Sequence, residues 1–191
     1  MPDEQIRTLL ERIAAPAAAP TPDLAVIGAA LAELAADRDY LRRWVERLEG
    51  RSGGLAILAP DHGPRLQLVH RPEGGMGAVH DHGTWIAIAT ITGVETHRRY
   101  RRPTEASPGL PALEEVLDLA EAESTTLLPP HDIHDHGHLV GHGAPAYILV
   151  LAGADQSRLT RNEWDLATGR HRILQPGDEG RFLASQPMPV D

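Results

Sequence analysis

Two histidines stand two residues apart in the segment 80–85, and a second histidine-containing segment, 130–134, follows about fifty residues later. In a β-strand, residues i and i+2 point to the same face, so His80 and His82 are expected to aim their imidazoles at one place. A third imidazole from a later strand would complete a facial set of neutral nitrogen donors and leave the opposite side of an octahedral ion open. Neutral imidazole suits iron, zinc, copper and nickel. The pattern therefore predicts a metal site.

The composition narrows the chemistry and the partners. The 191 residues include eleven histidines and no cysteine, which excludes thiolate ligands and a disulfide framework. A formal net charge of −9 argues against nucleic acid as a partner, because an acidic chain repels phosphates. No apolar run reaches the roughly 18 residues that span a bilayer, and the first residues lack the apolar segment of a signal peptide. We therefore expect a cytoplasmic protein without a membrane partner.

The elements that must position these histidines begin with helices. Residues 1–50 are rich in alanine, leucine and arginine with helical spacing, and we assign them to an N-terminal helical extension. The pattern predicts a helix over 5–13, a linker over 15–20, a second helix starting at 21–23, and a third that Asp37 or Asp39 caps and Gly50 closes. We expect these helices to pack against the core rather than to hold a cofactor.

After residue 50 the apolar period changes to two, which is typical of strands. We predict strands at 55–58, 66–69, 79–82, 86–91, 95–101, 124–128, 146–151, 157–165 and 171–174, and either a short helix or an irregular insert at 114–121. Many short strands at even spacing favour a small antiparallel barrel or a double-sheet jelly roll. The expected fold is therefore all-β with N-terminal helices, and residues 51–191 form the barrel.

These residues resemble the cupin superfamily, whose first motif places a glycine five residues before His-x-His. Gly74, His80 and His82 fit that spacing, Gly93 stands at the closing glycine, and Ile86 fills the position of the motif's glutamate. In the second motif the resemblance places Pro129 at the proline, His134 at the ligand histidine and His138 at the asparagine. The resemblance implies a double-stranded β-helix with His80, His82 and His134 as metal ligands.

Without the glutamate, the chain resembles the three-histidine branch that contains cysteine dioxygenase and 3-mercaptopropionate dioxygenase. The shared segments are 80–85, 131–134 and 164–169. The chain departs from that branch on the strand after the third ligand, where a Ser-x-His-x-Tyr triad is replaced by Ile148, Val150 and Ala152. We expect a more apolar pocket wall there, and hence a substrate less polar than cysteine.

The resemblance implies a mononuclear non-heme Fe(II) dioxygenase that oxidises a small thiol or carboxylic acid with O2, as a monomer or homodimer. Zinc, manganese and nickel are the alternative metals. We expect His138 to lie near the site without ligating and to contribute to catalysis. Arg98, or else Arg99 or Arg101, is the expected contact for a substrate carboxylate. Asp81 and Asp132 are candidates to orient the imidazoles.

Other functions stay open at this point. One is a non-thiol cupin enzyme that uses another divalent metal, and another is a non-catalytic barrel that binds a small ligand or stores metal. Glu95 is an alternative ligand, which would give two histidines and one carboxylate. Metal content and O2 uptake across a panel of thiols would separate these possibilities.

Overall fold

A computed structural model describes residues 4–48, 53–58, 62–105 and 109–178. Three α-helices come first, namely α1 (Glu4–Ala18), α2 (Leu24–Ala36) and α3 (Arg38–Leu48). Two carboxylates set the helix starts as their positions predict: Asp23 accepts from the Val26 amide at 3.2 Å, and Asp37 accepts from the Tyr40 amide at 3.0 Å. Gly50 and the expected boundary at residues 50 and 51 lie outside the described residues.

The first helix is longer than its sequence predicts. It continues through Pro16 to Ala18, so the predicted end at residue 13 and the linker over 15–20 are wrong. Alanine is the strongest helix former, and the alanines around Pro16 continue the helix for its last turn. None of the helices in the described ranges is long and apolar enough to cross a membrane.

Twelve strands follow the helices in the described part of the chain. They are β1 (Gly53–Leu58), β2 (Arg65–Arg71), β3 (Gly75–Met76), β4 (Val79–His80), β5 (Ile86–Thr92), β6 (Glu95–Arg101), β7 (Ala112–Leu119), β8 (Ser124–Leu127), β9 (His134–His138), β10 (Ala146–Ala152), β11 (Arg161–Asp165) and β12 (Arg170–Leu174). They form two antiparallel sheets. One has the order β1-β2-β10-β5-β8, and the other has the order β12-β11-β4-β9-β6-β7 with β3 beside β9.

The pairing of these strands is nested around the connection between β6 and β7. Moving outward from it, β6 pairs with β7, β5 with β8, β4 with β9, and β2 with β10. A long antiparallel hairpin wound into two facing sheets in this way is a jelly roll, the architecture of cupin barrels. The predicted fold class, all-β with N-terminal helices and a cupin-type barrel, is confirmed.

The helices cover the outer face of the first sheet. Alternate residues of β2, β5 and β10 point outward and join the buried apolar side chains of the helices in one core. The strand residues of that core are Leu66, Leu68, Ala87, Ala89, Leu149 and Leu151. The prediction that the helices are packing elements is confirmed, and the opposite faces of the same strands are left to line the barrel.

Three local predictions are wrong. Residues 112–119 form β7 rather than a helix or insert, because they pair along β6. No strand is predicted between residues 128 and 146, yet His134–His138 form the strand β9, which pairs on one side with β4 and on the other with β6. The strand expected from residue 157 begins at Arg161, after a short 3-10 helix at Gln156–Arg158.

Candidate metal centre

Strand pairing brings the three predicted histidines together. His80 on β4 lies directly opposite His134 on β9, and His82 follows β4 two residues later. The Nε2 atom of His82 is 3.1 Å from that of His80 and 3.3 Å from that of His134, and all three side chains are buried. The ligand atoms of this group lie within 4.8 Å of one another.

The spacing of these nitrogens fits a metal ion. With metal–imidazole bonds of about 2.0–2.1 Å, two ligand nitrogens are ~3.0 Å apart at a right angle and ~3.4 Å apart at a tetrahedral angle. The separations of 3.1 and 3.3 Å fall between these values. The group could therefore hold one cation with its three Nε2 atoms.

Burial keeps the three imidazoles in the neutral form that binds metals. It lowers the pKa of His80 to about 4, and the positive charges of Arg71 and Arg161 act in the same direction. Burial also lowers the pKa values of His82 and His134 well below the ordinary value, and the neighbouring histidines contribute to both shifts. A neutral ring has one lone pair, which must point inward if it is to bind.

Hydrogen bonds set the orientation of two of these ligands. His80 Nδ1 donates to the Ala78 carbonyl oxygen at 2.8 Å, which places its lone pair on Nε2. Asp132 accepts from the backbone amide of His82 at 2.8 Å, and its other oxygen accepts from Arg102 at 3.1 Å. Asp132 therefore holds the backbone of His82, as its position suggested, while His82 Nδ1 lies 3.9 Å from its carboxylate.

A second buried group adjoins the first. Glu95 and His97 on β6 lie on the same face as His136 on β9, because β6 and β9 pair with His97 opposite His136. His97 Nε2 is 3.0 Å from Glu95 Oε2, and His136 Nδ1 is 2.7 Å from Glu95 Oε1. Burial would raise the pKa of Glu95, but the contacts with His136 and His97 lower it well below the ordinary value.

The second group is connected to both the first group and the other sheet. His97 Nδ1 lies 3.4 Å from His134 Nδ1. Arg71, which reaches across from β2, places Nη2 at 2.7 Å from His136 Nε2 and Nε at 3.7 Å from Glu95 Oε1. Glu95 was expected as an alternative ligand of the His80 and His82 site, and the structure instead places it with His97 and His136. Glu95 and His97 stand at positions i and i+2 of the predicted strand 95–101, and this spacing was the sequence signal that they share one face.

Most of the inner face of the first sheet is apolar. Ile86, Ile88, Leu127, Ile148 and Ala152 form a buried cluster, with Val69 and Val150 packed against it. Arg71 of β2 contacts His136, and Arg99 of β6 bonds to Thr125 of β8, so the inner faces of the two sheets oppose each other. The three positions that replace the triad therefore belong to an apolar wall, as the sequence predicts.

Arg98 and His138, the two candidate catalytic residues, are not brought to the three-histidine group. Arg98 pairs with Asp135, with a 2.8 Å bond from Nε to Oδ1, and Asp135 points away from the face that carries His134 and His136. His138 is buried further along β9, where Nδ1 bonds to the Val94 carbonyl oxygen at 2.8 Å. The alternative arginines are engaged too, since Arg99 bonds to Thr125 and Arg101 is 3.7 Å from Glu114.

Arg161, which sequence reasoning missed, lies beside the histidines. Glu163 on β11 pairs with His80, so Arg161, two residues away on the same face, comes level with His82. It is only 6% exposed, and its Nε has no hydrogen-bond partner in the described ranges. Its positive charge contributes to the lowered pKa values of both His80 and His82. No motif or apolar pattern in the sequence marked this arginine.

Glu163 and Asp81, the carboxylates nearest to Arg161 along the strands, already bind other arginines. Glu163 accepts from Arg172 Nε at 2.6 Å, and Asp81 accepts from Arg102 at 2.8 Å. Asp81 also accepts from the amide of Asn162 at 2.6 Å, which ties β11 to the segment between His80 and His82. Asp81 therefore helps to fix the position of the strands. It was predicted instead to orient an imidazole ring.

No protein-family model and no curated protein matches the chain. Among solved structures, it is similar to a cupin superfamily protein from Desulfitobacterium hafniense, with 12% identity and a TM-score of 0.41 over 53% of this chain and 76% of that one. It is also similar to the hydroquinone 1,2-dioxygenase PnpCD in complex with Cd2+ and 4-hydroxybenzonitrile, with 9% identity and a TM-score of 0.45 over 56% and 69%.

A third similar structure is the DMSP lyase DddQ from Ruegeria pomeroyi, with 14% identity and a TM-score of 0.42. The match covers 57% of this chain and 50% of the lyase, so the chain spans about half the length of that protein. The nested strand pairing, rather than these likenesses, identifies the fold.

Proposed function

We propose that the protein is a mononuclear non-heme Fe(II)-dependent dioxygenase that oxidises a small thiol carboxylic acid with O2. The observation that carries the proposal is the convergence of three neutral imidazole Nε2 atoms, 3.1 and 3.3 Å apart, on a buried site. In the reaction, the thiol sulfur gains both oxygen atoms of O2 to become a sulfinate, and one proton is released.

His80, His82 and His134 would hold the metal. Because all three ligands are neutral, the +2 charge of iron is not reduced by the protein, and an anionic substrate is attracted to it. When bound, the metal supplies Lewis-acid activation and a common binding point for substrate and O2. The protein contributes the fixed geometry, through the bond from His80 to Ala78 and the bond from His82 to Asp132.

Arg161 is the proposed contact for the substrate carboxylate, in place of Arg98. A buried N–H without a partner is unfavourable, and the Nε of Arg161 has no hydrogen-bond partner within the described ranges. The nearby carboxylates of Asp81 and Glu163 also bind Arg102 and Arg172. A carboxylate that binds beside His82 would supply the missing partner, with the two-pronged geometry that arginine favours. Burial lowers the pKa of Arg161, and the charges of Asp81 and Glu163 oppose that shift.

The apolar wall determines which acid is preferred. An ammonium group placed against Ile148 and Ala152 would lose its water without gaining a partner, and a polar group in that position costs roughly 1–3 kcal/mol. Cysteine carries such a group and a mercapto acid without an amino group does not. The preferred substrate is therefore a short mercapto acid, and cysteine is turned over weakly.

Oxygen consumption by the iron-loaded protein tests the proposal. The panel contains a short mercapto acid, cysteine, an aminothiol without a carboxylate, and the same acid without its thiol. We expect the mercapto acid to be oxidised most efficiently and to give a sulfinate. An absence of O2 uptake with every thiol would contradict the dioxygenase proposal, and selective oxidation of cysteine would contradict the assignment of the apolar wall.

An arginine variant tests the carboxylate contact. Loss of a hydrogen bond to a charged group removes about 1.5–3 kcal/mol, so Arg161→Met should raise KM for the mercapto acid roughly ten- to a hundredfold. It should leave KM for the aminothiol unchanged. Arg158→Met, at an exposed arginine nearby in the chain, is the matched control. Equal effects on both thiols would contradict a carboxylate contact.

A further inference from the structure

The geometry points to a hydrogen-bond relay in which His97, held by Glu95, is a positioning residue that fixes the tautomer of His134. The relay runs from Arg71 through His136, Glu95 and His97 to His134, and it crosses the barrel from β2 to β9. This inference rests on the proposed metal centre, since its role is to present the Nε2 lone pair of His134 to that centre.

The direction of the relay follows from groups that can only donate or only accept. Arg71 has N–H donors and no acceptor, so His136 Nε2, at 2.7 Å from Arg71 Nη2, must carry the lone pair. The proton of neutral His136 is therefore on Nδ1, from which it donates to Glu95 Oε1 at 2.7 Å.

The ionised carboxylate of Glu95 accepts at both oxygens. Its Oε2 lies 3.0 Å from His97 Nε2, so Nε2 of His97 carries the proton and donates. With a single ring proton on Nε2, His97 has its lone pair on Nδ1, which faces His134 Nδ1 at 3.4 Å. The ring planes of His97 and His134 are inclined by 24° with centroids 5.5 Å apart, and the two Nδ1 atoms lie within hydrogen-bond distance.

The last bond of the relay determines the ligand atom. His97 Nδ1 can only accept, so His134 Nδ1 must donate its proton, and the lone pair of His134 is left on Nε2. That atom faces His82 Nε2 at 3.3 Å, inside the three-histidine group. A hydrogen bond at one imidazole nitrogen sets the state of the other, and here the chain of such bonds begins at Arg71.

The same proton count argues against a second metal at Glu95, His97 and His136, although their ligand atoms also lie within 4.8 Å of one another. A ligand lone pair on His136 Nδ1 would put a proton on Nε2, directly against an Arg71 N–H. A ligand lone pair on His97 Nε2 would put a proton on Nδ1 and move the proton of His134 to Nε2. The second site would therefore disable the first.

Imidazole 15N spectroscopy of the metal-free wild-type protein tests the relay without any mutation or activity. Long-range 1H–15N correlations show which nitrogen of each ring carries the proton. We expect protons on Nε2 of His97, on Nδ1 of His136 and on Nδ1 of His134. A proton on Nδ1 of His97 would overturn the relay, whatever metal the protein binds.

Zinc titration then distinguishes the relay from a second metal site, and from failure of the proposed centre. One zinc per chain, with its affinity lost in His134→Ala, supports the relay. Two zinc ions per chain would overturn it. Predicted tautomers together with no zinc binding would contradict the proposed metal centre and leave the hydrogen-bond relay in place.

A pair of His97 variants separates positioning from packing. His97→Asn keeps an acceptor oxygen near the position of Nδ1, whereas His97→Leu removes it. Loss of such a partner reduces metal affinity about ten- to a hundredfold, so we expect that loss in His97→Leu and recovery of most of it in His97→Asn. Thr96→Val, which changes the opposite face of β6 by removing a 2.6 Å bond to Asp118, is the control. Equal losses in both His97 variants, with Thr96→Val unchanged, would contradict the positioning role.

Discussion

The two inner faces of the barrel are built by the same strand alternation and have opposite chemistry. The face contributed by β2, β5, β8 and β10 carries Ile86, Ile88, Ile148 and their neighbours. The face contributed by β4, β6 and β9 carries six buried polar side chains, which are His80, Glu95, His97, His134, His136 and His138. Burial alone therefore does not make a barrel interior apolar.

The polar face is tolerated because its groups satisfy one another. A buried polar group without a partner costs about 1–3 kcal/mol, but each imidazole from β6 and β9 has a nitrogen or oxygen neighbour within 3.4 Å. Arg161 departs from this rule within the described ranges, because its Nε lacks a partner, and the same is true of Arg71 Nε, Arg99 Nε and His82 Nδ1. The proposed substrate carboxylate would give Arg161 a partner beside His82.

The largest expected effect comes from breaking the apolar face. Ile148 is fully buried, so Ile148→Asp would place a carboxylate there without a partner and should lower the free energy of unfolding by about 4 kcal/mol or more. Ile148→Val should lower it by only about 1 kcal/mol. Urea denaturation measures both, and a loss below about 1 kcal/mol in Ile148→Asp would mean that the wall is in contact with water.

The apolar face and the fold class could be predicted from the sequence, because the short, nearly continuous apolar runs at 86–91 and 146–151 are typical of strands that are buried on both faces. The strand β9 could not be predicted from the sequence. Its sequence, from His134 to His138, has no apolar residue at all, and strand prediction depends on contrast between apolar and polar positions. The strand at residues 112–119 was not predicted for a different reason, since the spacing of Leu113 and Val116 also fits a helix.

The candidate site was predictable in part. His-x-His spacing in a strand indicated that His80 and His82 converge, and the motif resemblance indicated His134. Alternation along β6 separates Arg98 from His97, but it does not show which face points inward, so Arg98 could not be assigned to the outer face. Arg161 becomes a neighbour of His82 only through the pairing of β11 with β4, a long-range contact that one sequence does not display.

Acid should destabilise the metal-free protein through the histidine face. The folded-state pKa of His80 is about 4, below the ordinary 6.5, so between these pH values the unfolded chain binds a proton that the folded chain does not. Stability is therefore greatest above pH 6.5, falls as the pH decreases toward 4, and loses about 3 kcal/mol from His80 alone. Denaturation curves from pH 7 to pH 4 measure this loss. A flat profile over that range would contradict the buried neutral state.

Removing the carboxylate should break the hydrogen bonds of the polar face. Glu95→Leu leaves the facing N–H groups of His97 and His136 without an acceptor, and we expect a loss of about 2 kcal/mol in the free energy of unfolding. Glu114→Leu, at an exposed position, should change it by about 0.5 kcal/mol or less. Comparable changes in the two variants would show that the buried carboxylate is not an acceptor for these rings.

The smallest expected change in the free energy of unfolding is a gain rather than a loss. Arg161→Met removes a buried guanidinium whose Nε has no hydrogen-bond partner within the described ranges, so the variant should be more stable than the wild type by about 1 kcal/mol, even though its KM for a mercapto acid rises. Thermal or urea denaturation in the absence of substrate measures the gain. Destabilisation by Arg161→Met would mean that the guanidinium stabilises the fold and is not reserved for a ligand.

Metal content per chain tests the central claim most directly, because the claim is that His80, His82 and His134 form one metal centre on the histidine face. Natively purified wild-type protein, His134→Ala and His138→Ala are compared by elemental analysis, since His134 and His138 are both buried on the same face of β9. We predict about one iron per chain in the wild type and in His138→Ala, and almost none in His134→Ala. Full occupancy in His134→Ala, or an equal loss in His138→Ala, would contradict the account.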